Sequence, residues 1–262
     1  MKIIEARNIN YNVSNKTIFH NLSLDIELGS VVCLIGNNSS GKTTLLKLLS
    51  GQIISDSNIK IDDIKVNKFN IEDIYKKISI ITSYNEYFSK TVMEEILQEK
   101  RNVNIFDENK VRKLLDSFNL LYLEKLPVQD LSYAENQIVA LIKVVIKKPK
   151  IIILDNAFSK LDKDKREELI KYLIDYAKKN KITILFSTNN IEDIKYSDRV
   201  LLLKFKNIFF DGTYKDLINS VDLYKEGFKV PFELDISDKL MLYNLIDKKK
   251  DNIDEIIGDL CK

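Results

Sequence analysis

The chain has 262 residues, a length that can bury one large core or one core with a small satellite unit. Its 41 basic and 39 acidic residues nearly cancel, which argues against a general nucleic-acid-binding surface, so we expect no nucleic acid partner. The longest apolar stretch, at residues 138–146, is interrupted by Lys143 and therefore predicts no membrane-spanning segment.

The first fifty residues predict short strands that lead into one helix. The β patterns lie at residues 3–6, 17–19, 22–26 and 31–35. An apolar helix follows from Leu45. His20 is the only histidine of the chain and stands between two of these patterns, and we interpret it as a surface or hairpin residue.

The middle and end of the chain alternate between helical and strand patterns. Residues 70–147 are mostly helical, with Asp107 predicted as the N-cap of a helix over residues 108–118. The continuous apolar run at 151–155 is typical of a central parallel strand that is buried on both faces. This alternation predicts an α/β fold with a parallel sheet. The remaining elements are a helix at 163–179, strands at 182–188, 199–204 and 208–211, and a helical tail at 213–262.

The most specific segment of the chain joins the strand at 31–35 to the helix that follows. It consists of Gly36-Asn37-Asn38-Ser39-Ser40-Gly41-Lys42-Thr43-Thr44, which is a complete phosphate-binding loop. The two glycines allow a tight turn whose N–H groups point at phosphate oxygens, and the helix N-terminus adds positive partial charge. Lys42 can reach the β and γ phosphates, and the Thr43 hydroxyl can bind Mg²⁺. The sequence therefore predicts binding of a nucleoside triphosphate.

Further motifs follow the phosphate loop in an order that resembles the ATP-binding cassette (ABC) ATPases. They are similar to the signature motif (131–135, Leu-Ser-Tyr-Ala-Glu), the Walker B strand (151–155), the D-loop (159–162), the H-loop position (187–190, Ser-Thr-Asn-Asn) and the Asp-Arg-Val that follows it (198–200). The resemblance covers residues 3–218. It implies a P-loop NTPase (RecA-like) core with an antiparallel β subdomain and a helical signature subdomain at about residues 84–147.

The tail narrows the resemblance to one branch of the family. Residues 212–218 and the segment Gly-Phe-Lys-Val-Pro at 227–231 are similar to the C-terminal extension of energy-coupling-factor type ATPases, which serve cobalt and vitamin importers. This implies an ABC ATPase domain at residues 1–218 and a C-terminal helical extension at 219–262. In that branch two ATPase subunits, often non-identical, sit beneath an integral membrane coupling protein.

The resemblance also implies roles for the residues of a nucleotide site. ATP would lie between Tyr11, which would stack on adenine, the phosphate loop and Asp155. Mg²⁺ would be held by Thr43 and Asp155, because an acid that closes an apolar strand near a phosphate loop positions this ion through water. Ser132 would contact the nucleotide bound to a partner subunit.

Alternatives remain for three of these residues. Tyr11 can instead be a core aromatic residue on an early strand. Asp155 can be an acid at a strand end that caps a turn. Asp162 of the D-loop segment can be the N-cap of the helix that begins at residue 163, and both of its roles can coexist.

Three positions around the γ-phosphate depart from the family pattern. Asn156 stands in place of the glutamate that follows the Walker B aspartate, and its amide cannot accept a proton. Asn189 replaces the H-loop histidine. Ser83 replaces the Q-loop glutamine, or Asn85 does if the register slips. We therefore expect slow or no hydrolysis at this chain's own site.

The signature motif departs as well, since Tyr133 and Ala134 stand where the family has two glycines. A Cβ atom at either position is expected to crowd the approach of the backbone to a γ-phosphate on the partner. Tyr133 can also be an exposed loop aromatic with no such contact. Ser132 is retained and can still donate its hydroxyl.

Together these resemblances imply an ATP-binding subunit of an ABC-type, energy-coupling-factor-like importer. We expect it to bind Mg-ATP in a heterodimer with a second, more complete ATPase subunit, because a homodimer would carry two damaged sites. An integral membrane coupling protein would hold it peripherally on the cytoplasmic face of the cell membrane. Its own ATPase activity, an expectation from resemblance alone, is predicted to be weak.

The sequence leaves two other functions to weigh. A soluble ABC protein could act as an ATP-gated scaffold or regulator without a membrane partner. A small-molecule kinase could share the phosphate loop, but this interpretation does not explain the motif block at residues 131–162.

Overall fold

The computed structural model describes residues 1–98 and 105–261, without the side chains of residues 105 and 106. The strands of these residues form two sheets. In chain order they are β1 (Lys2–Val13), β2 (Lys16–Glu27), β3 (Val31–Ile35), β4 (Asn58–Ile61), β5 (Ile64–Lys65), β6 (Ile78–Thr82), β7 (Ile151–Asp155), β8 (Thr183–Ser187), β9 (Arg199–Lys204) and β10 (Asn207–Gly212).

The helices follow the alternation that the sequence predicts. In the described ranges, no helix combines the length and the apolar character needed to cross a membrane. In chain order the helices are α1 (Lys42–Leu49), α2 (Ile71–Lys77), α3 (Val92–Leu97), α4 (Ile105–Ser117), α5 (Tyr133–Lys147), α6 (Lys163–Asn180), α7 (Ile191–Ile194), α8 (Tyr214–Ser220), α9 (Phe232–Leu242) and α10 (Ile253–Leu260).

The larger sheet has six strands in the order β10-β9-β3-β8-β7-β6. The five strands from β9 to β6 are parallel, and β10 is antiparallel at one edge. All residues of β3 and β8 are buried, because other layers cover both faces of the sheet. This arrangement confirms the predicted α/β fold and brings the carboxyl ends of the parallel strands to one edge.

The smaller sheet is antiparallel in the order β2-β1-β4-β5. The short strands predicted at 3–6, 17–19 and 22–26 are parts of the two twelve-residue strands β1 and β2. His20 therefore lies within β2 and not between strands, although its side chain is exposed as expected. Register shifts between β1 and β2 interrupt the alternation of apolar residues while the pairing continues, which is why the sequence pattern breaks there.

Two apolar clusters cover the faces of the six-stranded sheet. One lies between the two sheets and includes α1, with Phe19 and Leu48 fully buried. The other joins the opposite face to α5 and α6, through residues such as Leu141 and Leu173. Burial of these side chains removes apolar surface from water and holds the layers together.

The helical region between β6 and β7 contains α3, α4 and α5. Glu95 of α3 is buried and forms a 2.5 Å ion pair with Lys143 of α5. The prediction that Asp107 caps a helix over residues 108–118 is wrong, because α4 already includes Asp107 in its first turn. An acid in the first turn is favoured by the same helix-end electrostatics that favour an acidic N-cap, so the pattern misplaced the start.

The C-terminal tail continues directly from the sheet. Helix α8 crosses the proposed boundary at residue 218, and its Leu217 and Ile218 belong to the main apolar cluster. Gly227, which has φ +76°, and Pro231 separate α8 from α9. The division into a domain at 1–218 and an extension at 219–262 stays a prediction.

Candidate nucleotide-binding site

The phosphate loop connects β3 to α1 and is built around two glycines. Gly36 has φ +155°, and a Cβ atom there would lie 2.6 Å from Ser40 Oγ and 2.7 Å from Leu203 O. Gly41 has φ +102°, and its Cβ would lie 2.9 Å from the Phe19 ring. Only glycine combines these dihedrals with these close approaches, so the backbone can turn tightly into α1.

Lys42 is held inside the loop. Its side chain is buried, and Nζ donates hydrogen bonds to Gly36 O at 2.6 Å and to Asn37 O at 3.1 Å. Burial lowers the pKa of Lys42, while the nearby charge of Asp155 acts to raise it. The ammonium group is therefore positioned at the loop by backbone carbonyls.

The loop also contains a hydroxyl group that suits a phosphate oxygen. Ser40 Oγ is buried and has no hydrogen-bond partner among the described residues. A buried polar atom without a protein partner marks a place where a ligand or water can supply the missing bond. With the Lys42 ammonium nearby, the residues of this loop fit the phosphates of a nucleotide.

Asp155 closes β7 and joins the phosphate loop to the neighbouring strand. Its Oδ1 accepts hydrogen bonds from Thr43 Oγ1 at 3.1 Å and from Ser187 Oγ at 2.8 Å. A carboxylate beside a hydroxyl fits Mg²⁺, which binds proteins through few oxygen ligands and otherwise through phosphates and water. Among the described residues there is no cluster of three or more His, Cys, Asp or Glu side chains that would indicate another metal.

Ser187 is a site residue that the sequence reasoning missed. It ends β8, and the parallel register places it directly beside Asp155 at the end of β7. Its hydroxyl also accepts a hydrogen bond from the backbone N–H of Asn156 at 3.1 Å. The signal was available, since two buried strands of equal pattern that end in polar residues predict neighbouring polar ends when they pair in parallel.

The three departures from the family pattern lie around this centre. Asn156 follows Asp155 in a left-handed conformation with φ +51°, which asparagine tolerates better than most residues. The backbone N–H of Ser83 donates to Asp155 O at 3.2 Å. Asn189 Nδ2 donates to Asn38 Oδ1 of the phosphate loop at 3.1 Å. The structure therefore brings Asn156, Ser83 and Asn189 together with the phosphate loop and Asp155.

Asn85, the other candidate for the Q-loop position, points toward the helical region. Its Oδ1 accepts from the backbone N–H of Thr82 at 3.0 Å. Its Nδ2 donates to Asn136 Oδ1 at 3.3 Å and to Gln137 Oε1 at 3.2 Å, both on α5. These contacts connect the end of β6 to the first turns of α5.

Tyr11 lies on the same hairpin as the phosphate-loop contact Phe19. The register of β1 and β2 pairs Tyr11 with Phe19, whose ring faces Gly41. Tyr11 is half-buried against the apolar cluster between the sheets. Its position is compatible with both interpretations made from the sequence, and adenine stacking stays a prediction.

Ser132 and Asp162 are the N-caps of α5 and α6. Ser132 is the N-cap of α5 in a capping box, where its N–H donates to Glu135 Oε2 at 2.8 Å, and its side chain is exposed. Its side-chain hydroxyl accepts from the Glu135 N–H at 3.4 Å, so this capping box is formed within the first turn of α5. Asp162 caps α6 by accepting from the Lys165 N–H at 2.9 Å, which confirms its predicted capping role.

Tyr133 differs from its sequence interpretation as an exposed loop aromatic. It is the first residue of α5 and is half-buried against the main apolar cluster. Its hydroxyl donates to Ala157 O at 2.8 Å. Ala134 also packs against that cluster. Both side chains that replace the signature glycines are thus turned toward their own chain.

A buried parallel strand, a glycine-bounded loop and a following helix, with an aspartate of another strand next to the loop threonine, define the P-loop nucleoside triphosphatases. The protein is of that class. More specifically, the chain belongs to the ABC transporter family, whose model matches residues 19–159. Membership of this ATPase family implies that the chain binds ATP.

Its relatives are ATP-binding proteins of energy-coupling factor transporters. The chain is 33% identical to the energy-coupling factor transporter ATP-binding protein EcfA1 of Ligilactobacillus salivarius, over 99% of this chain and 96% of the relative. It is 32% identical to the corresponding protein EcfA2 of Clostridium perfringens, over 87% of this chain and 86% of the relative. It is thus similar to a protein named EcfA1 and to one named EcfA2 at nearly equal identity.

Solved structures establish the same fold. CbiO1 from Clostridium perfringens, described as part of the ABC transporter complex cbiONQ, superimposes with a TM-score of 0.74 at 24% identity, covering 92% of this chain and 95% of that chain. A bacterial Atm1-family ABC exporter with ATP bound gives a TM-score of 0.76 at 22% identity, covering 85% of this chain and 41% of the exporter.

Proposed function

We propose that this chain is the ATP-binding subunit of an energy-coupling-factor-type importer and that it binds Mg-ATP far better than it hydrolyses it. The observation that carries the proposal is the contact of Asp155 with Thr43, next to Asn156 where a catalytic carboxylate would stand. Thr43 and Asp155 would hold Mg²⁺, which neutralises phosphate charge in such sites. Lys42 and the loop N–H groups would bind the phosphates.

Slow hydrolysis follows from the chemistry of Asn156. A carboxamide can orient a water molecule by hydrogen bonding but cannot take its proton, and loss of a general base typically costs about 10²- to 10⁴-fold in rate. A nearby acid, Asp193, is already engaged, because it accepts hydrogen bonds from Thr188 at 2.8 Å and from Arg166 at 3.0 Å. Burial raises the pKa of Asp193, while these two partners act to lower it.

The proposed partner is a second ATPase subunit whose own site is more complete. In such a dimer each nucleotide lies between one subunit's phosphate loop and the other's signature segment. The exposed N-cap Ser132 supports this arrangement, because the positive partial charge of a helix N-terminus favours a phosphate. A heterodimer supplies at least one site with a catalytic base, which a homodimer of this chain would lack.

An integral membrane coupling protein would hold the pair at the cytoplasmic face of the membrane. The relatives named as energy-coupling factor transporter proteins support this proposal. Pull-down of the tagged chain from detergent-solubilised membranes tests it, with a multi-span protein in equimolar yield as the expected result. Recovery of the chain in a complex without any membrane protein would favour the scaffold or regulator.

Calorimetric titration of Mg-ATP into the purified chain tests the nucleotide site. We expect saturable binding of one nucleotide per chain, with turnover below about 1 s⁻¹, the low end for ordinary enzymes. Lys42→Ala should abolish binding, whereas Lys178→Ala on the exposed face of α6 should leave it unchanged. Absence of binding by the wild-type chain, or turnover well above that rate, contradicts the proposal.

A further inference from the structure

The signature turn at the start of α5 is attached to the loop that follows Asp155 in the same chain. The Tyr133 hydroxyl donates to the carbonyl of Ala157 at 2.8 Å. Ala157 is buried and comes directly after Asn156. A tyrosine at this position therefore connects two segments that lie 24 residues apart, one in the helical region and one at the nucleotide site.

A lysine of the D-loop segment adds a second contact to the same tyrosine. Lys160 Nζ lies 5.6 Å from the centroid of the Tyr133 ring and 5.9 Å from that of Tyr84. Both distances are within the range in which a cation is attracted to the face of an aromatic ring. Lys160 thus lies between the segment that follows β6 and the signature turn.

A second set of hydrogen bonds, formed by Asn85, Asn136 and Tyr87, holds the start of α5 to the segment after β6. Asn136, on the first turn of α5, donates from Nδ2 to Asn85 O at 3.1 Å and accepts from Asn85 Nδ2. Tyr87 donates its hydroxyl to Asn136 O at 2.6 Å. The start of α5 is therefore held by contacts to the loops after both β6 and β7.

We infer that Tyr133 is a positioning residue that orients Ser132 and the N-terminus of α5. It does so through its hydrogen bond to Ala157 O, here called the clasp, which attaches the start of α5 to the loop after Asp155. This role rests on the proposed function and extends it, because Ser132 and the helix N-terminus would be oriented toward a phosphate of the nucleotide bound to the partner subunit. The Tyr133 ring packs inward and its hydroxyl is satisfied by Ala157 O, so the side chain is directed away from the exposed Ser132. The clasp also joins the signature turn to the loop that carries Asn156.

The clasp can be measured in the full chain without nucleotide. Nitroxide labels are attached at Lys125→Cys and Lys179→Cys in a Cys261→Ser background. Pulsed electron paramagnetic resonance then reports the distance between the helical region and α6. Both lysines are exposed, and Cys33 is fully buried. We expect a single narrow distance distribution in this labelled parent and a broader one after Tyr133→Phe, which removes only the hydroxyl.

Tyr176→Phe is the matched control. Tyr176 is also half-buried and also donates its hydroxyl to a carbonyl of α5, that of Val145 at 3.2 Å, but at the far end of the helix. It should leave the distribution narrow. Equal widths for Tyr133→Phe and the labelled parent would overturn the inference, as would equal broadening by Tyr176→Phe.

Variants of Lys160 give a second test that does not alter the half-buried Tyr133. Lys160 is exposed, so its replacement should not impair folding. Lys160→Met should broaden the distribution, and Lys160→Arg should restore it, because the cation over the two rings is kept. Failure of Lys160→Arg to restore the narrow distribution would contradict the role of the cation.

The functional consequence is read in the assembled transporter. Tyr133→Phe should lower kcat for ATP about tenfold and change KM less than about twofold, because misorientation of a positioned group affects the transition state more than ground-state binding. A change confined to KM, or no change, would oppose a positioning role.

Failure of the clasp and failure of the proposed function are distinguishable, because the distance measurement needs no nucleotide. Failure of ATP binding would overturn the proposed function, whereas unchanged distance distributions would overturn the clasp.

Discussion

Asn189 donates a hydrogen bond from Nδ2 to Oδ1 of Asn38 at 3.1 Å, which links the residue two positions after β8 to the phosphate loop. Both side chains are exposed at the surface of the site. A carboxamide does not change charge between pH 5 and 8, unlike the histidine that the family resemblance places at residue 189. This bridge is therefore insensitive to pH.

Removal of this bridge should weaken nucleotide binding modestly. A hydrogen bond of this kind contributes about 0.5–1.5 kcal/mol, here to the stability of the loop conformation that binds nucleotide. We therefore expect Asn189→Ala to raise the Kd for Mg-ATP about two- to tenfold in calorimetry. Asn38→Ala should have a similar effect, and the double variant should lose no more than either alone. Asn219→Ala, which removes an exposed amide on α8, is the control. Fully additive losses would show that the two amides act independently.

Restoration of a base should accelerate hydrolysis. We expect Asn156→Glu combined with Asn189→His to raise the rate of phosphate release about 10²-fold, the low end of the effect of a general base. Asn156→Gln is the isosteric control, since it keeps the longer side chain but remains an amide. Because residue 156 has φ +51°, the glutamate should also lower stability by about 1 kcal/mol. Equal acceleration by the glutamine variant would show that the gain does not come from proton transfer.

Gly36→Ala should disrupt the phosphate loop. Its Cβ would meet Ser40 Oγ at 2.6 Å and Leu203 O at 2.7 Å, so a backbone shift is required and should destabilise the fold by about 1–3 kcal/mol. Loss of detectable Mg-ATP binding in calorimetry is the expected result. Gly258→Ala on α10 meets no atom within 4 Å and should leave binding and stability unchanged or slightly improved. Tight binding by Gly36→Ala would contradict this account of the loop.

The Glu95–Lys143 pair should make stability depend on pH in acid. Burial alone would raise the pKa of Glu95, but the hydrogen bond from Lys143 and those from the Ser89 and Phe88 N–H groups bring it below its ordinary value of 4.5. A lowered folded-state pKa contributes stability that is present above about pH 4.5 and is lost as the pH falls through the folded value.

Urea unfolding between pH 7 and pH 3 measures this effect. Glu95→Gln should lower the free energy of unfolding at pH 7 by about 1.5–3 kcal/mol, because it removes the charge-assisted hydrogen bonds that the buried carboxylate accepts, and should flatten the dependence below pH 4.5. Glu72→Gln on the exposed face of α2 should leave stability at pH 7 unchanged. If the free energy of unfolding of Glu95→Gln still falls with pH below 4.5 as in the wild type, Glu95 is not the source of the pH dependence.

The prediction of strands was best where burial is continuous. The runs at 151–155 and 182–188 appear as β7 and β8 to within one residue at either end, because strands buried on both faces need uninterrupted apolar residues. Prediction was poorer for β1 and β2, where register shifts break the alternation, and for the start of α4, where Asp107 suits a first turn as well as a cap. These errors arise where one local pattern is compatible with two structures.

The sequence by itself determined the phosphate loop and the strand that ends in Asp155, because each depends on neighbouring residues. The absence of the expected Glu, His and Gln is what the family resemblance implies, and the sequence left the capping role of Asp162 as one of two. Only the tertiary structure decided that Ser187 lies beside Asp155, that Asn189 meets Asn38 and that Tyr133 reaches Ala157. These contacts join residues 24 to 151 positions apart, and they form only when sheet register and helix packing fix the direction of each side chain.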